Sequence, residues 1–196
     1  MDRFQKEITV SKAILERRSI RRFKPDRLTK EQITYLLNLA CAAPSAKNSQ
    51  PWRFVVVMDE QERERICDAM EQGLKRFDGR VGSAWHSLSI MRQAPVNIFI
   101  FASGIRDIRL ERTILDTVND MACAQSIGAC IENMLLAATG IGLGSLWICD
   151  IFYAYEELMQ YFGKDETLVA AVSLGIPDEA PGMRPRKPLE EIVEWR

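Results

Sequence analysis

The stretch Val118-Asn-Asp-Met-Ala-Cys-Ala-Gln-Ser-Ile-Gly-Ala-Cys-Ile-Glu-Asn-Met-Leu-Leu-Ala-Ala-Thr139 decides the fold. Its spacing predicts one long helix over residues 118–139, with small and apolar residues (Ala122, Ala124, Gly128, Ala129, Leu135, Ala137, Ala138) nearly all round and few charges to mark an exposed face. Such a helix belongs inside, and the other elements must pack on it. Gly140-Ile-Gly-Leu-Gly144 closes it, because glycines end a helix readily and free the backbone for a tight turn or a close approach.

Working outward, short runs rich in β-branched and aromatic residues predict strands over residues 54–58, 96–102, 145–149 and 168–174. Thr29 with Gln32 three residues on is a capping-box pattern, followed at helical spacing by Ile33, Leu36, Leu37, Ala40 and Cys41. Ala43-Pro44 stops that helix, since the residue before proline is pushed out of the α region. Ser11 is positioned to cap a short helix carrying Ala13, Ile14 and Leu15 inward. A charged helix over residues 60–73 turns Ile66, Ala69 and Met70 inward and stops at Gly73, and an amphipathic helix covers residues 153–162. Residues 74–93 show no clear period, and residues 105–115 are polar and ambiguous. Beyond Gly175 prolines punctuate the tail, which therefore crosses a surface or a partner subunit. The connections do not give regular strand–helix–strand units, so the expected class is an α+β three-layer fold. With no internal repeat and no dividing linker, residues 1–196 read as one domain.

Apolar residues make up 47% of the 196 and charged residues 27%, which is globular and excludes disordered, collagenous and disulfide-scaffold classes. A net charge of −1 provides no overall field toward nucleic acid or an anionic membrane, so any basic function is local. The five cysteines are odd in number, lack C-x-x-C spacing and read as reduced core thiols. The start MDRFQKEITV is charged and carries no signal pattern, and no uninterrupted apolar run approaches the roughly 20 residues of a membrane helix; the cytoplasm is the expected compartment.

Basic residues are unevenly placed. Between Thr113 and Met183 the only Lys or Arg is Lys164, while Arg17, Arg18, Arg21 and Arg22 crowd one end and Arg184, Arg186 and Lys187 the other. Both groups could converge on a phosphate, whose oxygens match guanidinium forks and whose remaining charge Ser19 and nearby N–H groups would satisfy. Two solvated basic patches are the plainer alternative. Pro44, Ser45, Ala46, Asn48 and Gln50 lie in a proline-framed loop that offers donors and acceptors suited to a planar heterocycle, or a simple turn. The triple glycine follows a helix, so the dinucleotide fingerprint fails, and no Walker pattern is present. His86, the single histidine, reads as a partly buried structural residue; Asp178 and Glu179 read as a solvated turn, and Met121 and Met134 as core fillers.

Taken in order, four motifs resemble the FMN-dependent nitroreductase family: Arg17-Arg-Ser-Ile-Arg21; Ala43-Pro-Ser-Ala-Lys-Asn-Ser-Gln-Pro-Trp-Arg53; Gly128-Ala-Cys-Ile-Glu-Asn-Met-Leu-Leu-Ala-Ala138 with Gly142-Leu-Gly-Ser-Leu-Trp147; and Arg184-Pro-Arg-Lys-Pro-Leu-Glu-Glu191. The resemblance spans almost the whole chain. It implies a three-layer α-β-α fold with a mixed central sheet, in a domain-exchanged homodimer with FMN at the interface. It further implies that Arg17, Arg18, Ser19 and Arg21, with Arg186 and Arg184, grip the FMN phosphate and ribityl chain. Pro44, Ser45, Ala46 and Asn48 would meet the ring from the second subunit, and the backbone of Trp147, Ile148 and Cys149 would approach it near N5.

The implied activity is transfer of hydride from NAD(P)H through the flavin to a nitroaromatic, a quinone or a similar flat acceptor, with ping-pong kinetics and no side-chain acid or base. Arg21 is the first candidate to stabilise negative charge near N1 and C2=O. Alternatives are another FMN-dependent reaction of the superfamily (reductive dehalogenation, dehydrogenation or flavin fragmentation) and flavin binding without turnover. Neither nucleic acid nor membrane is an expected partner.

Overall fold

Four strands, β1 (Trp52–Val57), β2 (Val96–Ala102), β3 (Gly144–Ile148) and β4 (Thr167–Gly175), form one sheet in the order β1-β2-β4-β3. The structure, a computed structural model, describes residues 8–196; residues 1–7, the charged start read as lacking a signal pattern, lie outside the described residues. All three ladders are antiparallel, with Val55 opposite Phe99, Phe99 opposite Ala171 and Trp147 opposite Val172. The mixed sheet implied by the resemblance is thus corrected for this chain. Two helices packed on each other, α3 (Glu60–Lys75) and α4 (Gly82–Gln93), join β1 to β2, so the chain turns back three times between the strands and they run antiparallel. Among the described residues, parallel pairing is confined to a single bridge, Ser19 with Ser145.

The period-two alternation of β2 splits the core in two. Phe99 and Phe101 face a cluster with Ile66, Met70 and Leu74 of α3, Met91 of α4 and Leu158 of α6 (Tyr155–Phe162). Ile98 and Ile100 face the other, with Ile33 and Leu36 of α2 (Lys30–Cys41) and Cys130, Ile131 and Met134 of α5 (Ile114–Gly140). Helices therefore cover both faces, giving the three layers expected. Every residue of β2 is buried, and its Asn97 is satisfied: Ser173 Oγ donates to Asn97 Oδ1 at 2.6 Å, and Asn97 Nδ2 donates to the Met91 carbonyl at 2.8 Å.

Several local expectations change. The capping box at Thr29 and Gln32 is present. Helix α1 (Val10–Glu16) is capped by Thr9 rather than Ser11 and buries only Ala13, because two turns lying on α5 offer one narrow inward face; Ile14 and Leu15 are exposed. Gly73 does not stop α3: it lies inside the helix, where a Cβ would fall 2.6 Å from that of Ala154. Residues 74–93 supply α4, which starts without a side-chain cap. Residues 153–162 divide into a 3-10 turn, Asp150–Ala154, running straight into α6.

Helix α5 opens four residues earlier than its apolar pattern, at a capping box of Thr113 and Asp116. By length and apolarity it would pass for a bilayer span, but the stripe from Cys123 through Ile127, Ile131 and Met134 to Ala138 is buried against α2 and the sheet. The expectation of an interior helix holds for that stripe alone, since Ile114, Leu115, Val118 and Met121 are exposed. Cys67, Cys123 and Cys130 are buried, whereas Cys41 and Cys149 are exposed, so only three of the five thiols are core residues. Burial pushes the Cys67 and Cys130 thiols up to about 12.

Candidate functional site

The site begins at the free edge of β3. Arg17 ends α1 with extended backbone (φ −56°, ψ 128°), and the chain then runs beside the strand, with the Ile20 N–H donating to the Ser145 carbonyl at 3.0 Å. Gly144 permits this approach: a Cβ there would sit 3.0 Å from the Ile20 side chain.

After β4 the tail folds back over the same segment. The Lys24 N–H donates to the Ile176 carbonyl and the Asp178 N–H to the Arg22 carbonyl, each at 2.9 Å, while Glu179 accepts from the backbone N–H groups of both Arg21 and Arg22. Gly175 allows the crossing, since a Cβ there would lie 2.8 Å from Phe23 and from the Pro95 ring. Glu179 is thus no solvated turn. Its side chain is only 20% exposed, and its second oxygen lies 3.6 Å from Arg22 Nε.

These crossings bring Arg17, Arg18, Ser19, Arg21, Arg184 and Arg186 around one cleft of about 280 Å³. Among the described residues the only ion pair to a guanidinium of the cleft is Arg17 with Glu132 of α5, at 3.6 Å. Arg18 bends back to the Leu15 and Arg17 carbonyls at 2.6 and 2.9 Å, and its Nε is buried without an acceptor. An unsatisfied buried donor of this kind costs on the order of 1–3 kcal/mol. Five guanidiniums against one paired carboxylate leave the cleft strongly positive, suited to a phosphate.

The other predicted residues lie elsewhere. Pro44, Ser45, Ala46 and Asn48 belong to an exposed to half-buried loop in which Lys47, Asn48 and Gln50 all have positive φ (55°, 54° and 46°). Each such residue costs about 1 kcal/mol or more, and clusters of them are typical of functional loops. Internal bonds hold the shape: the Gln50 N–H donates to Ser45 Oγ and the Asn48 N–H to the Ser45 carbonyl, both at 3.0 Å. Two bonds tie the loop to its surroundings: the Ala46 N–H donates to Ser126 Oγ of α5 at 3.1 Å, and Arg53 Nη1 of β1 donates to the Gln50 carbonyl at 3.3 Å.

Trp147 and Ile148 close β3, and Cys149 follows it. Ile148 is buried; Trp147 and Cys149 are exposed. The ring of Trp147 packs over Gly128 of α5, where an added Cβ would meet its tip at 3.7 Å. Asp150 ties this end of the strand to α4 by accepting from Ser87 Oγ at 2.6 Å. Partial burial of the sulfur, and then the Asp150 carboxylate, raise the Cys149 pKa above the ordinary thiol value.

Ser126 and Gly128, two positions apart on one helix, point about 200° apart. The loop at 44–48 and the end of β3 consequently lie on different sides of α5 within one chain, and neither lines the arginine cleft. Glu179 was read from sequence as a solvated turn, and Ser126 and Glu132 were given no role in the site. Glu179 bonds Arg21 across 158 positions, beyond any local pattern, while a serine in a small-residue helix carries no signal of its own. His86 is exposed on α4, not half-buried, and is absent from the cleft.

Residues 14–176 match the nitroreductase family. A protein of Archaeoglobus fulgidus named for NADH dehydrogenase/NAD(P)H nitroreductase activity is 32% identical over 174 residues, covering 86% of this chain and 85% of that protein. A structure from Desulfovibrio desulfuricans, named for a nitroreductase and solved in complex with FMN, superposes with a TM-score of 0.73 at 30% identity, over 97% of this chain and 98% of that one. An iodotyrosine deiodinase of Thermotoga neapolitana is 25% identical over 189 residues, covering 91% of this chain and 92% of that protein.

Proposed function

The chain belongs to the nitroreductase family, and from that premise we propose that residues 1–196 form one FMN-binding unit that oxidises NAD(P)H and reduces a flat acceptor such as a nitroaromatic or a quinone. The observation that carries this reading is the convergence of Arg17, Arg18, Arg21, Arg184 and Arg186 on one cleft. The fit to a phosphate monoester rests on the chemistry of that donor set: guanidinium forks, the Ser19 hydroxyl and a buried Arg18 Nε that lacks an acceptor.

FMN held here would supply the hydride-transfer chemistry that links NAD(P)H to the acceptor. Arg17, Arg18, Ser19, Arg184 and Arg186 hold the phosphate end. From Ser145, beside Ser19, to Cys149 the strand runs about 13 Å, and the backbone of Trp147, Ile148 and Cys149 at its far end would hold the ring of an FMN whose phosphate the arginine cleft binds. Arg21, in the same cleft, stands ready to balance negative charge at the ring's N1 and C2=O edge.

Pro44, Ser45, Ala46 and Asn48 complete the ring site from a second copy. Three features support a homodimer with exchanged tails: the loop and the end of β3 lie on different sides of α5, the outer edge of β1 has no partner strand among the described residues, and Leu189, Ile192 and Trp195 of the tail are exposed. The test is to purify the protein, release and identify its cofactor, and add NADH or NADPH without oxygen before titrating acceptors. Bleaching of the flavin, followed by recovery of colour on adding the acceptor, is the expected result. A colourless protein that takes up no FMN overturns the reading, and a bound flavin that neither coenzyme bleaches reduces it to binding alone.

A further inference from the structure

We propose that Ser126 is the positioning residue of the loop at 45–50, holding its polar edge in the single conformation that meets the flavin; the flavin part of this rests on the reading above. The loop is improbable as free chain. Three non-glycine residues in the left-handed region would relax to ordinary turns if nothing opposed them, and proline at 44 and at 51 restrains only its ends. Ser126 is the anchor it lacks. Its hydroxyl is buried, at 6% residue exposure, and is engaged twice: it donates to the Ala122 carbonyl at 2.8 Å and accepts the Ala46 N–H at 3.1 Å.

That geometry fixes the direction of the accepting lone pair. With the serine proton committed to its own helix, the oxygen presents an acceptor outward, and Ala46 is the residue that begins the 3-10 turn containing the strained Lys47 and Asn48. The bond therefore pins the turn at its first residue, and Ser45 Oγ pins it at Gln50. Substitution by alanine removes the anchor without adding bulk and raises helix propensity, so the helix itself survives.

The test compares the Ser126→Ala and Ser126→Thr proteins with the unsubstituted one, using two readouts. Amide hydrogen exchange of the segment spanning 45–50, measured on flavin-free protein, is expected to speed up about tenfold in Ser126→Ala and to return toward the original rate in Ser126→Thr, which keeps the hydroxyl. Exchange in β2 should be the same in all three. In FMN-loaded protein, Ser126→Ala should raise the FMN dissociation constant about tenfold and alter the visible circular dichroism of the flavin, with Ser126→Thr restoring both. Equal exchange rates in the loop overturn the anchoring, whatever the protein binds. Faster loop exchange with unchanged flavin affinity and dichroism overturns the link to the ring, and faster exchange throughout the chain assigns Ser126 to general stability. Failure of the unsubstituted protein to take up FMN overturns the proposed function, while the exchange comparison still decides the anchor.

Discussion

Arginine is the residue on which the proposed site depends, and its variants give the most direct test. Arg17→Ala and Arg186→Ala should each weaken FMN binding by about tenfold or more, because each removes a charge-assisted bond to the phosphate. Titration of flavin-free protein by fluorescence quenching reads this out, and full flavin content in both variants rejects the cleft as the phosphate site. The convergence of two basic clusters was legible because guanidinium chemistry narrows the ligand to an oxyanion, whatever the fold. What sequence hid is the residue that makes them meet: Glu179 reads as solvent-facing until its carboxylate is seen on the Arg21 and Arg22 amides. A different residue sets a pH dependence. The Arg109 guanidinium beside Asp107 holds that carboxyl down at about 2, below its ordinary 3.8. A depressed carboxyl contributes its full stabilisation above about pH 4 and loses it as pH falls through about 2. Asp107→Asn should therefore cost about 1 kcal/mol at pH 7, after allowance for solvent screening, and a small fraction of that at about pH 2, as measured by urea unfolding across that range.

At the level of elements, the crossing of the tail over the arginine segment is the sensitive joint. Gly175→Ala forces a Cβ to within 2.8 Å of Phe23 and the Pro95 ring, and proline cannot yield. The expected outcome is a loss of about 1–3 kcal/mol, seen as a lower urea midpoint at unchanged slope, with weaker FMN binding because the segment bearing Arg21 is displaced. Elements with strong local signals were readable: β2 from its unbroken β-branched and aromatic run, and α2 from its capping box. Helix α4 was not, because no side chain caps its start and the polar Ser87 interrupts its buried face. That gap matters for topology, since the direction of β2 relative to β1 depends on whether one helix or two lie between them. Helix α5 was readable as an apolar helix but not as a half-covered one, because small residues all round do not distinguish burial in one chain from burial between two.

For the whole molecule, the uncovered start of α5 is the main prediction. Ile114, Leu115 and Val118 are 81%, 77% and 63% exposed, alongside Val10, Ile14 and Leu15 of α1, more apolar side chains than an isolated chain of this size usually leaves to water. Sedimentation velocity should give twice the mass of one chain, and Leu115→Glu should yield a monomer that has lost its flavin. A monomer with full flavin content would show that one chain builds the site alone. The separation of the loop and the end of β3 by α5 has a genetic corollary. If each pocket takes its cleft from one chain and its loop from the other, two defective alleles, Arg186→Ala and Asn48→Ala, should complement when co-expressed. Every hybrid pair then holds one pocket with both lesions and one with neither, so activity reappears at up to half the wild-type level per hybrid.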